Sequence, residues 1–458
     1  MAWNEKGWQS AAEGYAWMVP WRYVRDGDGW FVGGYSNVAW NAVDRHLECM
    51  ADHTAVSDRA SGQRFTYRDL YWKSARLARW WRDHGLAVGE RVVIYGAGGL
   101  TALVAWLAAA RIGAVAVLMP STPSSGLLSQ RLNECEASWV VVESREEALA
   151  VGRQTSVPVL VGGQDPVGPS LADVEERAAG LIDPVPVEAN ALGVLVYGDD
   201  GRPYAYAGLG GLISWAESLA LNLDLAGGDR IGVWLSHQGL SHRLIVTLAL
   251  LAKGAQVVWM GEDVQLAVRE HGLQKLVVSP CDARRAAAGA DRLDVILVLG
   301  HSRITPALPS DGRARWRQAI PHISAGLFLP REGGMDPGPG QDRTRGSRPP
   351  ETTGTPPESV WDQLLQVPDV EEVYPMEDAD TRIVWVRSGH PLPEPDERAL
   401  PVPFGWTPVV LDAFPETIEG RVAGQVLASL WKHDSRISLD GVANPAVVEQ
   451  LVRTLGSH

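Results

Sequence analysis

Short apolar runs alternate with helical spacing along most of the chain. Residues 91–95, 114–119, 139–142, 192–197, 230–235, 256–260, 275–279 and 294–299 are rich in Val, Ile and Leu and read as strands. Residues 100–111, 208–223 and 240–253 carry helical patterns between them. Continuous apolar strands separated by helices predict a mostly parallel sheet covered on both faces. One further helix is well punctuated. Thr66 can cap the amides of Tyr67, Arg68 and Asp69, Leu70, Leu77 and Trp81 line one face, and Gly85 follows the end. The most apolar stretch is 100–120, but Arg111 interrupts it and Gly113 follows. A membrane helix needs about 20 unbroken apolar residues, so a buried helix and then a buried strand are expected.

Residues 333–357 break the pattern. Twelve of these 25 residues are Gly or Pro, and none but Met335 is aliphatic or aromatic. Such a stretch buries no core and reads as an extended linker. The expected organisation is a large domain over 1–332, the linker at 333–357 and a small lid-like domain over 358–458. In the small domain 383–386 and 408–411 read as strands and 422–431 as a helix. The fold class expected is α/β, with layered, mostly parallel sheets and helices, plus a small α+β C-terminal domain.

Composition narrows the functional classes. The chain has 458 residues and a formal net charge of −14. Broad attraction to nucleic acid or to an anionic membrane surface is therefore not expected. Three widely spaced cysteines, Cys49, Cys135 and Cys281, give neither a disulfide framework nor a zinc spacing. With no signal peptide visible in the first 30 residues, a cytoplasmic setting is the expectation. Of 41 basic residues only five are lysines: Lys6, Lys73, Lys253, Lys275 and Lys432. His237 and His242 lack a third ligand at metal spacing and read as an inert loop. Gly96-Ala-Gly-Gly99 lacks the full dinucleotide pattern. Trp21, Trp30 and Trp40 could line an interaction surface, although large aromatics more often fill cores.

Several ordered strings carry a family resemblance. Trp30-Phe-Val-Gly-Gly-Tyr-Ser-Asn37 is followed by Asn41-Ala-Val-Asp-Arg-His-Leu47, then Phe65-Thr-Tyr-Arg-Asp-Leu70 and Gly89-Glu-Arg-Val-Val-Ile-Tyr95. Ala110-Arg-Ile-Gly-Ala-Val115, Arg131-Leu-Asn-Glu-Cys-Glu-Ala137 and Trp139-Val-Val-Val142 continue in order. Together they resemble the AMP-forming acetyl-CoA synthetases. The resemblance implies a truncated acyl-CoA synthetase-like large domain. It also implies formation of an acyl-adenylate from ATP and a carboxylate, transfer of the acyl group to coenzyme A, and a C-terminal domain that swings between the two steps.

It further implies four site positions, and each departs from the family pattern. The family phosphate loop reads Ser-Gly-Thr-Thr-Gly-Lys-Pro-Lys-Gly, whereas this chain has Tyr197-Gly-Asp-Asp-Gly-Arg-Pro-Tyr-Ala205. The turn glycines Gly198 and Gly201 remain, Arg202 replaces the first lysine, and Asp199 and Asp200 replace the threonines. Two carboxylates repel phosphate oxygens by roughly 4 kcal/mol per charge pair at 4 Å and an effective dielectric of 20. A bound Mg²⁺ could bridge them, while the plain alternative is an Asp-Gly turn. Arg331 stands at the family's metal-binding Glu, with Glu332 displaced by one. The stretch expected to carry the ribose-binding Asp is missing, and the Gly/Pro segment stands in its place. In Pro415-Glu-Thr-Ile-Glu-Gly-Arg421, Arg421 takes the position of the catalytic lysine. Its planar fork is no close substitute for an ammonium at a tight site.

Two readings follow. The first is a catalytically degenerate relative that binds or regulates and could oligomerise, partnered by an active acyl-CoA synthetase or an acyltransferase. Gly198, Asp199, Asp200, Gly201, Arg202 and Arg421 are then vestiges of cofactor-binding positions, with no catalytic residue and no metal. The second is an active ligase or coenzyme A acyl-transfer enzyme with rewired residues. Only on that reading are ATP with Mg²⁺, or coenzyme A, expected as cofactors.

Overall fold

The computed structural model describes residues 5–26, 29–96, 99–120, 125–162, 169–197, 203–235, 239–261, 264–279, 283, 286, 292–299, 315–322, 326–328, 370–378, 381–388, 407–411, 426–427 and 448. The chain divides into two units: residues 1–299 with 311–343, and 300–310 with 344–458. The Gly/Pro stretch 333–357 lies outside the described residues, as does the expected helix 422–431 apart from Val426 and Leu427.

The first unit holds two large sheets. One contains β3 (Arg91–Tyr95), β4 (Val115–Met119), β5 (Ala137–Val142), β6 (Val159–Val161), β7 (Leu192–Tyr197) and β8 (Pro203–Ala207), following β1 (Thr54–Asp58) and β2 (Arg64–Thr66) in the chain. Its order is β8-β7-β4-β3-β5-β6, parallel except for the β7–β8 hairpin. The other contains β1, β2, β9 (Arg230–Trp234), β10 (Gln256–Trp259), β11 (Lys275–Val278), β12 (Val295–Leu299), β13 (Arg315–His322) and β14 (Gly326–Phe328). Its order is β14-β13-β12-β11-β9-β10-β1-β2, antiparallel only at its two outer pairs. The expected strands are all found, with ends within two residues of those expected.

The sheet pleat explains the unbroken apolar runs. In the first sheet Val92, Ile94, Ala116, Leu118 and Val141 point into one core, while Val93, Tyr95, Val117, Met119 and Val142 point into a second core on the opposite face. Both faces are covered, so neither set of positions can be polar.

Helix α1 (Tyr67–Asp83) begins with a reciprocal cap. Thr66 Oγ1 accepts from the Asp69 amide at 3.0 Å, and the Asp69 carboxylate accepts from the Thr66 amide at 2.8 Å. Its buried Leu70, Leu77 and Trp81 face inward as the spacing predicts. Helix α2 (Leu100–Ile112) is buried all round and stops at Gly113, whose φ of 79° is left-handed. α3 (Ser125–Glu134) and α4 (Arg145–Gly152) serve the first sheet. α5 (Gly208–Leu223) and α6 (Gly239–Ala252) touch strands of both sheets and form the layer between them. In the second unit Val370–Asp378, Thr381–Ser388 and Thr407–Leu411 form a three-stranded sheet in that order. No helix among the described residues is long and apolar enough to cross a membrane.

Candidate functional site

In open parallel sheets, ligands bind beyond the carboxyl ends of strands whose outgoing connections diverge. In the first sheet that place lies between β3 and β5. β3 runs through α2 to β4 on one side, and β5 runs through α4 to β6 on the other. The residues that meet there are Gly96 and Gly99 after β3, Glu143 after β5, and Gly162 after β6.

Glu143 fills this crevice. Its carboxylate accepts from the Gly99 amide at 3.2 Å and from Thr101 Oγ1 at 3.3 Å, both at the amino end of α2. A side chain on Gly99 would collide with that carboxylate, and one on Gly162 would meet Thr101 Oγ1 at 2.6 Å. Glu147 sits beside it and accepts from the Glu143 and Ser144 amides at 3.1 Å each, closing the cap of α4. Burial pushes the Glu143 carboxyl above the usual carboxylate range; the neighbouring Glu147 adds to this, and the bonds from Gly99 and Thr101 oppose it.

Arg243 on α6 is half-buried. The Arg243 guanidinium lies 4.6 Å from the centre of the Trp259 ring. Burial lowers its proton affinity, and the charges of Asp58, at the end of β1, and Glu143 raise it again. Groups at the carboxyl ends of both sheets thus act on the Arg243 charge. A helix amino end and its amides attract anions, but here the chain's own carboxylate already takes that position.

Most of the sequence-derived site positions lie outside the described residues. Gly198, Asp199, Asp200, Gly201 and Arg202 fall between β7 and β8, whose ends pair at Tyr197 and Pro203. Arg421, Arg331, Glu332 and His237 are likewise outside. The residue leading into the loop is described: Tyr197 is buried, and its hydroxyl donates to the Arg131 carbonyl at 3.1 Å. His242 is buried on α6. Trp30 is core, whereas Trp40 is 37% exposed.

The N-terminal strings turn out to be fasteners. Asn37 caps Val38–Ala42 and donates to the carbonyls of Ala110 and Val185 at 2.7 and 2.9 Å. Asn41 accepts from the Ala16 amide at 2.8 Å. Arg45 donates to the Gly14 carbonyl at 2.7 Å and to the Ala252 carbonyl at the end of α6. The lysines with described side chains are also engaged in the framework: Lys73 pairs with Glu175 at 2.5 Å, Lys253 with Glu217 at 2.8 Å and Lys275 with Asp229 at 2.5 Å. Among the described residues no group of three His, Cys, Asp or Glu could hold a metal ion.

Sequence reasoning missed Glu143 and Arg243. A signal for the first existed: a carboxylate directly after a fully apolar strand stands at a sheet's carboxyl edge.

Comparison with known proteins agrees with this architecture. Residues 43–198 match the family described as AMP-binding enzyme. Over these residues the chain is similar to the AMP-forming acyl-CoA synthetases. The acetyl-coenzyme A synthetase of Sinorhizobium fredii is 34% identical over 148 residues, 30% of this chain and 23% of that protein. The mitochondrial acyl-CoA synthetase short-chain family member 3 of Pongo abelii is 27% identical over 333 residues, 61% of this chain and 47% of its own. The synthetase-like chain thus spans between a quarter and a half of these relatives' lengths. The fold is that of the acetoacetyl-CoA synthetase from Streptomyces lividans, with a TM-score of 0.75 at 14% identity over 99% of this chain and 92% of that one.

Proposed function

We propose that this synthetase-like chain does not adenylate carboxylates and works in the cytoplasm as a binding or regulatory partner of an active acyl-CoA synthetase or an acyltransferase. The observation that carries this reading is the stretch Tyr197–Ala205, which has carboxylates at Asp199 and Asp200 and Tyr204 at the final lysine position. Arg421 in place of the catalytic lysine supports it, as does Glu143 at the helix amino end that would otherwise attract an anion. Isothermal titration of the full chain with ATP–Mg tests the reading. No saturable heat is expected, and stoichiometric binding would overturn it. Capture of a stoichiometric acyl-CoA synthetase or acyltransferase from native extract at low salt is the positive counterpart.

A further inference from the structure

A second cavity lies at the opposite edge of the first sheet. Its walls come from α2, α5 and α6 and from the start of β7, and include Trp106, Val194, Trp215, Ile245 and Leu248. Gly113 and Ala114, which precede β4, also border it, so it opens at the amino ends of these strands, away from Glu143. No charged side chain is found among the described residues that line it. Its one hydroxyl, on Ser36, already donates to the Ala16 carbonyl and accepts from Asn41.

The cavity is held open at a cost. Gly211 is buried in α5, yet a methyl group built on it would meet nothing within 4 Å. Alanine inside a helix is favoured over glycine by about 0.5–1 kcal/mol. The chain forgoes that stabilisation at a position where a larger residue would fill the space. The volume is about 60 Å³, several times the roughly 10–15 Å³ that one water needs on the same measure. A concave, apolar lining of this kind suits apolar guests.

We infer that this cavity is a binding site for a small uncharged alkyl group. The inference does not rest on the absence of adenylation. The test is ¹⁹F NMR of the full chain labelled with 5-fluorotryptophan, with xenon and 1-propanol as probes and propionate as the charged control. Trp106→Phe and Trp215→Phe assign the two wall resonances, and exposed Trp72 is the reference. Saturable shifts at Trp106 and Trp215, absent at Trp72, are expected from xenon and propanol and not from propionate. Gly211→Leu should weaken binding at least tenfold. Should it fail to fold, Gly211→Ala with a native melting profile should still weaken it measurably. Linear shifts shared with Trp72, or unchanged affinity in a folded Gly211 variant, would overturn the site. Equal response to propionate would overturn the ligand class.

Discussion

Arg111 and Asp44 meet in a two-pronged ion pair inside the protein. Arg111 Nη1 donates to Asp44 Oδ2 at 2.9 Å, Nη2 donates to Oδ1, and Nε donates to Ser74 Oγ at 2.9 Å, with the guanidinium wholly buried. The arginine that interrupts the apolar stretch thus ties α2 to both the N-terminal segment and α1. Removing one partner leaves the other charge buried and uncompensated, at a cost of about 3–5 kcal/mol. Asp44→Ala and Arg111→Ala should each lower the unfolding free energy from urea titration by about that amount. Arg111→Lys should recover only part of the loss, because an ammonium lacks the fork.

Acid should weaken the fold through His46. Burial and the adjacent Arg45 charge hold its imidazole down at about 4, from an ordinary value of 6.5, while the Leu251 and Ala252 carbonyls oppose the shift. The folded state therefore resists a proton that the unfolded chain accepts. The associated stability is complete above pH 6.5 and is lost as pH falls through 6.5 towards 4. Between pH 7 and pH 5 the loss should be about 1–2 kcal/mol. Urea titrations at the two values check this, and His46→Gln should flatten the difference.

The crevice should behave as a coupled unit. Gly99→Ala pushes a methyl group into the Glu143 carboxylate. The exposed Glu143 head must swing away and give up its bonds from Gly99 and Thr101, so the wild-type chain should lose about 0.5–1.5 kcal/mol and a Glu143→Ala chain less. A double-mutant cycle should return at least about 0.5 kcal/mol of coupling. Strict additivity would mean that Glu143 moves aside freely.

Local pattern made much of this fold legible. The Thr66 cap, the stop at Gly113 and the apolar runs from Arg91 to Val142 each declare themselves within a few residues, because capping and pleat are short-range physics. The division of those runs between two cores was not legible, since it depends on what covers each face. Nor was the pairing of influence between Glu143 and Arg243, which are far apart in sequence and brought together only by sheet order. The N-terminal strings carried the resemblance, and Asn37, Asn41 and Arg45 hold backbone carbonyls and amides. A motif read from sequence does not separate residues kept for packing from those kept for chemistry.

Restoring the loop chemistry should move function in one direction. A chain carrying Asp199→Thr, Asp200→Thr and Tyr204→Lys removes two negative charges and adds one positive charge where phosphates would lie. Saturable ATP–Mg binding should appear by titration where the parent shows none, and weaken with added salt.

Catalytic silence is tested most directly by ATP–pyrophosphate exchange on the full chain across acetate, propionate, butyrate and acetoacetate. Exchange at the level of the enzyme-free control is expected for every acid. Carboxylate-dependent exchange well above it, abolished by Arg421→Ala, would contradict the account.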